Sequence, residues 1–299
     1  MNVFRSERGQ AAVLTVVFLV AILGMAALVL DVGSWFRAQR ETQAAADAAA
    51  LAAAQALPES PGDADVLAAS YVGKNGAGTS TVTFSSKLLP NDTVKVTVER
   101  NAPGFFAKLF GIDSVQVGAS AVARSGALDK ARYAAPIAVD EQHPLLACKP
   151  LPCFNVATTL DLEKVGPGAF RLLNLDDSHG GTGPKGVADW ILTGYDGYMP
   201  LNWYFSDPGA KFNSSQIKAA LNQRIGDELL FPIYRTTRGG GANFEYFVVG
   251  WVGFVVTDFE AQGNGGSVSG HFVRVIWEGI QSESGGGEDF GVRAVELVE

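Results

Sequence analysis

The pattern of apolar and polar positions sets one stretch apart from the rest of the chain. Residues 11–30 carry no charge, and Thr15 is the only clearly polar side chain among them. A helix rises about 1.5 Å per residue, so this run covers about 30 Å, the thickness of the hydrocarbon core of a bilayer. The run therefore predicts a single transmembrane helix.

The flanks of the apolar run predict its orientation. Arg5 and Arg8 outweigh Glu7 before the run, whereas the flank after it is slightly acidic. The positive-inside rule then predicts a cytoplasmic N-terminus and extracytoplasmic C-terminal domains. A cleaved secretory signal is the alternative, but the run exceeds the usual apolar region of about 7 to 15 residues. We expect an uncleaved anchor.

The helix is predicted to continue beyond the membrane. Residues 31–57 are rich in alanine, with Gln, Leu and Glu, and no proline interrupts them before Pro58. Small side chains allow a second helix to approach closely, which favours lateral packing against a partner. The alternative is that the alanine stripe packs only against the globular part of the same chain.

Residues 58–127 predict a small α+β unit. A helix is expected over residues 64–73, a hairpin over residues 79–85 and 93–99, a helical segment over 103–110, and a strand over 115–123. The aromatic residues of this segment are expected in its core, namely Phe84, Phe105, Phe106 and Phe110.

Residues 128–299 predict a mainly β domain, rich in aromatic residues and glycine. Asn213, Ser214 and Ser215 are expected to cap one helix, with Ile217, Leu221, Ile225 and Leu229 along one stripe. A shorter helix is expected over 187–192. Strands are expected over 136–139, 154–158, 170–175, 231–236, 244–256, 268–280 and 290–298. Residues 244–256 are apolar, but too few to span a membrane, so they predict a buried strand paired with 268–280.

The predicted class is therefore α+β. One transmembrane helix continues into a long Ala-rich helix over residues 1–57, followed by the small α+β unit at 58–127 and the mainly β extracytoplasmic domain at 128–299.

Charge and cysteine content narrow the classes of function. The net charge of −8 and the isoelectric point near 5.0 disfavour nucleic acid as a partner, because phosphate binding needs clustered basic side chains. The two cysteines, Cys148 and Cys153, lie in a predicted extracytoplasmic segment, where a local disulfide is expected. The alternatives are inert free thiols, a metal pair or a reactive thiol, and a zinc site would need two further ligands.

Three motifs follow one another along the N-terminal segment. Arg8-Gly9-Gln10 precedes the apolar run, Leu30-Asp31-Val32-Gly33 closes it, and an alanine-rich motif occupies residues 43–52. In order and spacing they resemble the N-terminal region of the TadE/TadG-like proteins of Flp (Tad) pilus assembly. The resemblance implies a bacterial envelope protein, anchored once in the cytoplasmic membrane, that assists assembly or anchoring of a type IV-like pilus.

The resemblance also implies the partners. These are the membrane and other pilus-assembly or pilin-like proteins, with self-association through the N-terminal helix as a further option. Leu14 stands where a type IV pilin processed after Gly9 would carry glutamate. Some larger relatives carry a von Willebrand-type domain, whose metal site begins with an Asp-x-Ser-x-Ser motif, and this motif is absent from the sequence. No metal or other cofactor is therefore implied. The positions expected in helix packing or partner contact are Gly9, Gln10, Asp31, Gly33, Ala45, Asp47, Ala49 and Leu51.

Asp31 gives the most specific prediction among these positions, because an acid at the end of a membrane span is costly to bury without a partner. We expect it either to contact interfacial water or to pair with a basic group of a partner subunit.

Two clusters in the last segment are weighed for chemistry. Residues 176–181 combine acids, Ser178 and His179, which is where a hydrolase or cation site would lie, although a plain loop is favoured. Aromatic residues between Trp190 and Phe205 form either a core or an exposed binding platform. The chain is expected not to be an enzyme, with a membrane-tethered adhesin or hydrolase as the alternative.

Overall fold

The structure is a computed structural model, and it describes residues 8–76, 78–148, 152–162, 171–176, 178–207, 211–262, 265–282 and 287–298. The chain forms two compact units. The N-terminal unit comprises Met1–Arg124 with Leu297–Glu299, and the C-terminal unit comprises Ser125–Glu296. The fold class is α+β, as the sequence predicts.

One helix dominates the N-terminal unit. Helix α1, Arg8–Ala54, runs for 47 residues through both the apolar run and the alanine-rich segment. Its portion Ala11–Ala54 is long and apolar enough to cross a membrane. Alanine, glutamine and other strong helix formers dominate the segment after Arg37, and no proline breaks α1. The prediction that the apolar helix continues as a helix is confirmed.

The rest of the N-terminal unit packs against the second half of α1. Helix α2, Pro61–Lys74, precedes strands β1, Thr79–Ser85, and β2, Thr93–Pro103. Strand β3, Ser114–Ala131, pairs with β2 in antiparallel fashion. Ser114 lies opposite Pro103 at one end of the pairing, and Arg124 lies opposite Thr93 at the other. A short 3-10 helix, Ala107–Phe110, lies between these two strands.

Alternation in β2 and helical spacing in α2 explain this packing. Val94, Val96 and Val98 are fully buried, so every second residue of β2 faces the core. On α2 the buried residues are Ala64, Ala68 and Val72, which are four residues apart on one side of the helix. Both elements contact α1.

The C-terminal unit is built mainly from strands. The strands that follow β3 are β4, Val139–Asp140; β5, Ala157–Asp161; β6, Met199–Pro200; β7, Trp203–Phe205; β8, Glu228–Arg238; β9, Glu245–Gln262; β10, Gly265–Val273; β11, Val275–Ile276; β12, Gly279–Gln281; and β13, Val292–Leu297. A six-stranded sheet has the order β4-β8-β9-β10-β5, with β7 beside β9. The expected pairing of the long apolar strand with the segment after it is present, since β9 and β10 are antiparallel.

Two helices complete the C-terminal unit. Helix α3, Gly183–Thr193, is longer than the helix that the sequence predicts over residues 187–192, and helix α4 spans Ser215–Gln223. Ser214 caps α4 by accepting a hydrogen bond from the Ile217 N–H. The predicted stripe of α4 is too long. Gly226 adopts a left-handed backbone with φ of 89°, and Leu229 already belongs to β8.

Several predicted strands are shorter than expected or shifted along the chain. Of residues 136–139, only Val139 belongs to a strand, while Ile137 forms a single bridge with Leu172. The expected strand at 170–175 is reduced, within the described residues 171–175, to single bridges at Leu172 and Leu173. These segments are apolar because they are buried, and short buried loops carry the same signal as strands.

Candidate functional site

Asp31 lies where the apolar run of α1 ends, and it binds the chain's own backbone. Its side chain is 2% exposed, and its carboxylate accepts hydrogen bonds from the N–H groups of Phe105 at 2.8 Å, Phe106 at 3.0 Å and Ala107. Neither expected alternative, interfacial water or a partner's cation, describes this contact. A residue 74 positions earlier in the chain thus caps the start of the 3-10 helix.

We call residues 104–112 the hairpin tip, because they join β2 to β3. The tip has a defined backbone. The Gly104 N–H donates to the Asp113 carbonyl at 3.0 Å, and the Ile112 N–H donates to the Ala107 carbonyl at 3.1 Å. Gly111 ends the 3-10 helix in the left-handed region, with φ of 80°, where glycine carries no steric cost. The tip is therefore held at both ends and by Asp31.

A row of side chains on α1 ties the same hairpin along its length. The Trp35 Nε1–H donates to the Pro103 carbonyl at 3.2 Å, and the Gln39 amide donates to the Gly118 carbonyl at 2.7 Å. The Gln43 amide donates to the Ser120 carbonyl at 3.2 Å and also contacts Asp47. These three donors are spaced four residues apart, so they form one stripe on the helix.

A groove lies between α1 and the hairpin. It has a volume of about 730 Å³, and its apolar wall includes Val29, Leu30, Pro103 and Phe106. Its polar wall includes Arg37 and the ion pair between Arg100 and Glu41, whose closest atoms are 2.6 Å apart. The groove thus changes from apolar to charged along the direction in which α1 leaves the apolar run.

The expected aromatic core of this unit is wrong. Phe105 is 65% exposed, Phe106 42% and Phe110 84%, while Phe84 on β1 is only half-buried. The core is made instead of small aliphatic residues from α1, α2 and β2. Sequence reasoning missed the hairpin tip as a surface. The available signal was the position of two apolar pairs, Phe105-Phe106 and Leu109-Phe110, inside a connection between strands, because connections almost always run over the surface.

The second half of α1 has one buried and one exposed face. Ala38, Thr42, Ala45 and Ala49 are buried in the N-terminal unit. The opposite side, which we call the free face, consists of the exposed residues Gly33, Phe36, Arg37, Arg40 and Ala44. The buried residues are spaced three or four apart, as one side of a helix requires, and each residue of the free face has another of its members three or four positions away.

The structure distributes the predicted contact residues over these faces. Gly33 lies on the free face, and a Cβ added there would meet no atom within 4 Å. Asp47 and Leu51 continue the free face and are half-buried, whereas Ala45 and Ala49 are fully buried by the chain's own unit. This favours, for the two alanines, packing within the chain. Gly9 and Gln10 lie in the first turns of α1, and their contacts stay a prediction.

The two cysteines of the C-terminal unit are bonded to each other. Cys148 and Cys153 form a disulfide with a Cα–Cα distance of 5.7 Å, across five positions of sequence. Next to it, the Cys153 N–H donates to the Leu145 carbonyl at 2.7 Å. The bridge therefore closes a short local loop.

The cluster around Ser178 and His179 does not form a nucleophile–base pair. The Ser178 hydroxyl contacts the Asn174 amide at 2.8 Å, and the Ser178 N–H donates to the Asp176 carboxylate at 2.9 Å, as in a turn. The His179 ring instead contacts the Asn243 side chain and packs edge-on against Phe205. This arrangement favours the loop interpretation. Residue 177 lies outside the described residues.

A buried acid lies near this loop. Burial raises the pKa of Asp207 above its usual value, although its ion pair with Lys211 opposes the shift. Asp207 also accepts a weak hydrogen bond from the Thr182 N–H at 3.4 Å, at the start of α3. Its contacts link α3 to the segment after β7.

The aromatic cluster is mostly interior. Tyr204 is 4% exposed, and Trp190 and Tyr195 pack edge-on with ring centroids 5.7 Å apart. Tyr198 is the most exposed of the group at 48%. The arrangement favours core packing over a continuous aromatic platform.

Comparison with known protein families finds a match on α1. Residues 9–56 match the family model of the putative Flp pilus-assembly TadE/G-like proteins. We call these residues the TadE/G-like region. The region coincides with α1, so it comprises the apolar run, Asp31 and both faces of the alanine-rich segment. Comparison with curated proteins and with solved structures finds no match.

The TadE/G-like region and the apolar helix together support a pilus-related membrane protein, and α1 is long and apolar enough to cross the membrane once. The family suggests a structural or assembly role.

Proposed function

We propose that the chain is a non-enzymatic, single-pass component of Flp pilus assembly or anchoring, which binds other pilus proteins through the free face of α1. The observation that carries this proposal is the family match, because it covers all but the first residue of α1 and little else. In this proposal the N-terminus is cytoplasmic and both units lie outside, as the charges that flank the apolar run favour.

The continuity of α1 supports a mechanical role. The same helix crosses the membrane and supplies the buried face of the N-terminal unit, with no break in its hydrogen bonding. A partner bound to either part of α1 is therefore linked to the other part through a stiff rod rather than a flexible linker. Such a rod suits a protein that holds an assembly in place at the membrane.

The free face has the chemistry of a helix-packing surface. Gly33 and Ala44 have small side chains, which allow close approach of a second helix, and both are exposed. Arg37 and Arg40 lie between them and can pair with acidic residues of a partner. The partner we propose is a helical segment of a pilin-like or pilus-assembly protein, with a second copy of this chain as the other option.

The disulfide supports the proposed side of the membrane. Cys148 and Cys153 are bonded in the C-terminal unit, and disulfides persist in oxidising compartments outside the cytoplasm.

Complementation of a strain that lacks this chain tests the proposal. The readout is the amount of pilin sheared from the cell surface, measured by immunoblotting, with membrane levels of the chain measured in parallel. We expect Ala44→Trp to lower surface pilin severalfold at an unchanged level of the chain, because the bulky ring blocks approach to the free face. The matched control is Ala69→Trp, at an exposed alanine on α2.

Normal piliation with Ala44→Trp would contradict the role of the free face. Normal piliation in the strain without the chain would contradict the pilus function itself.

A further inference from the structure

The hairpin tip exposes a group of apolar side chains next to the point where the apolar run of α1 ends. Leu109 is 81% exposed, Phe110 84% and Phe105 65%, and Ile112 is 45% exposed. We propose that the tip is a second membrane contact, which inserts these side chains into the lipid interface of the bilayer that α1 crosses. The partner is the lipid surface on the side from which the N-terminal unit emerges.

The hydrogen bonds to α1 fix the level of the tip. Trp35 bonds to Pro103, which pairs with Ser114 at the end of the hairpin next to the tip, while Gln43 bonds to Ser120, farther from the tip. Going down the helix, Asp31 bonds to the N–H groups that begin the 3-10 helix. The tip thus lies on the side of the apolar run, and its anchor Asp31 is one residue, about 1.5 Å of rise, from that run.

The apolar surface is continuous from the helix to the tip. Val29 and Leu30 belong to the apolar run, are 69% and 59% exposed, and line the same groove as Phe105 and Phe106. If the apolar run lies in lipid, these neighbouring side chains lie at the boundary between hydrocarbon and headgroups. Phenylalanine and leucine on one short helical turn are the residues that bind at such a boundary.

A basic side chain belongs to the tip. Lys108 is exposed beside the apolar residues Leu109 and Phe110, and the exposed acid Asp113 follows the tip. Basic side chains beside an apolar surface gain from anionic headgroups. The Asp31 carboxylate accepts hydrogen bonds from the backbone of the tip, so its charge faces these N–H groups rather than the lipid.

A second membrane contact restricts the orientation of the N-terminal unit relative to the membrane. A single helix leaves its domain free to tilt and rotate about the helix axis relative to the membrane. A second contact, fixed to the first by Asp31, Trp35 and Gln39, holds the free face of α1 in one orientation.

Depth-dependent quenching in a bilayer tests the proposal. The full-length chain carries an environment-sensitive fluorophore on Leu109→Cys, and it is reconstituted into phosphatidylethanolamine–phosphatidylglycerol vesicles that contain spin-labelled lipid. The native cysteines are bonded to each other, so the label goes to the introduced thiol. Val66→Cys, an exposed apolar position on α2, is the matched control. We expect severalfold stronger quenching at 109 than at 66.

A second variant tests the role of Asp31. In the labelled chain, Asp31→Ala removes the acceptor of three backbone N–H groups, so we expect quenching at 109 to fall towards the control value. Amide exchange of β1 and β2 reports in parallel whether the unit remains folded. Equal quenching at 109 and 66 in the unaltered chain would overturn the proposal. So would shielding of 109 from water without quenching by lipid, because a protein partner or second copy would then cover the tip.

Discussion

Ala49 offers a direct test of which face of α1 belongs to the chain's own core. Ala49 is fully buried, whereas Ala44, five residues earlier, is exposed on the free face. Replacing Ala49 with Leu adds three carbons to a packed interior, and overpacking of this kind costs about 1–3 kcal/mol. The same change at Ala44 places the added carbons in solvent, and leucine is nearly as good a helix former as alanine, so the expected cost is below about 0.3 kcal/mol.

Hydrogen exchange measures this difference in the full chain without unfolding the membrane segment. For sites that exchange by unfolding of the unit, about 1.4 kcal/mol corresponds to a tenfold change in rate. We therefore expect amides of β1 and β2 to exchange about 5- to 160-fold faster in Ala49→Leu, and at almost the unaltered rate in Ala44→Leu. Equal effects at the two positions, or protection lost only in Ala44→Leu, would refute the assignment of the faces.

Two further predictions concern the C-terminal unit. Replacing both Cys148 and Cys153 with alanine should lower the free energy of unfolding of this unit by about 2 kcal/mol on the chain-entropy model, the value for a short closed loop. Denaturant-dependent hydrogen exchange of the amides of β5 and β10 measures this free energy. An unchanged free energy would contradict the prediction. His143 packs edge-on against Phe272, and burial, with a contribution from Arg171 and against Asp140, lowers the pKa of its ring. The unfolded chain then binds a proton at this ring more readily than the folded chain, so stability should fall as pH drops below about 6.5, the ordinary pKa of histidine. His143→Gln should reduce this loss of stability at low pH, measured by melting curves. An identical pH dependence of the two proteins would contradict the prediction.

The periodic elements were accessible from the sequence because their signals are local. A charge-free run predicts a span, and valines at every second position predict the buried side of β2. The family resemblance also rests on local order, since its motifs lie within residues 8–52.

The alanine face was ambiguous for a physical reason. Between residues 44 and 54 alanine occurs on every side of α1, so helical spacing cannot tell Ala44 from Ala45. Only the position of β2 and α2 decides which alanines are buried. That position depends on contacts between segments far apart in the chain.

The sequence does not predict the exposure of the hairpin tip, because an apolar side chain gives the same signal whether it is buried or exposed. The sequence places Phe105 and Phe110 inside the unit, yet both are exposed. The hydrogen bonds that the Asp31 carboxylate accepts hold the tip beside the end of the apolar run, and they connect residues more than seventy positions apart. A sequence pattern carries no trace of such a contact.

Site-specific photo-crosslinking in native membranes tests the central claim most directly. A photoreactive residue replaces Ala44 on the free face in one variant and Ala69 on α2 in the other, and adducts are identified by mass spectrometry, together with the intact mass of the chain. We predict adducts with a pilin-like or pilus-assembly protein, or with a second copy of this chain, from position 44 and not from position 69. The absence of protein adducts at 44, or the same adducts at both positions, would contradict the account.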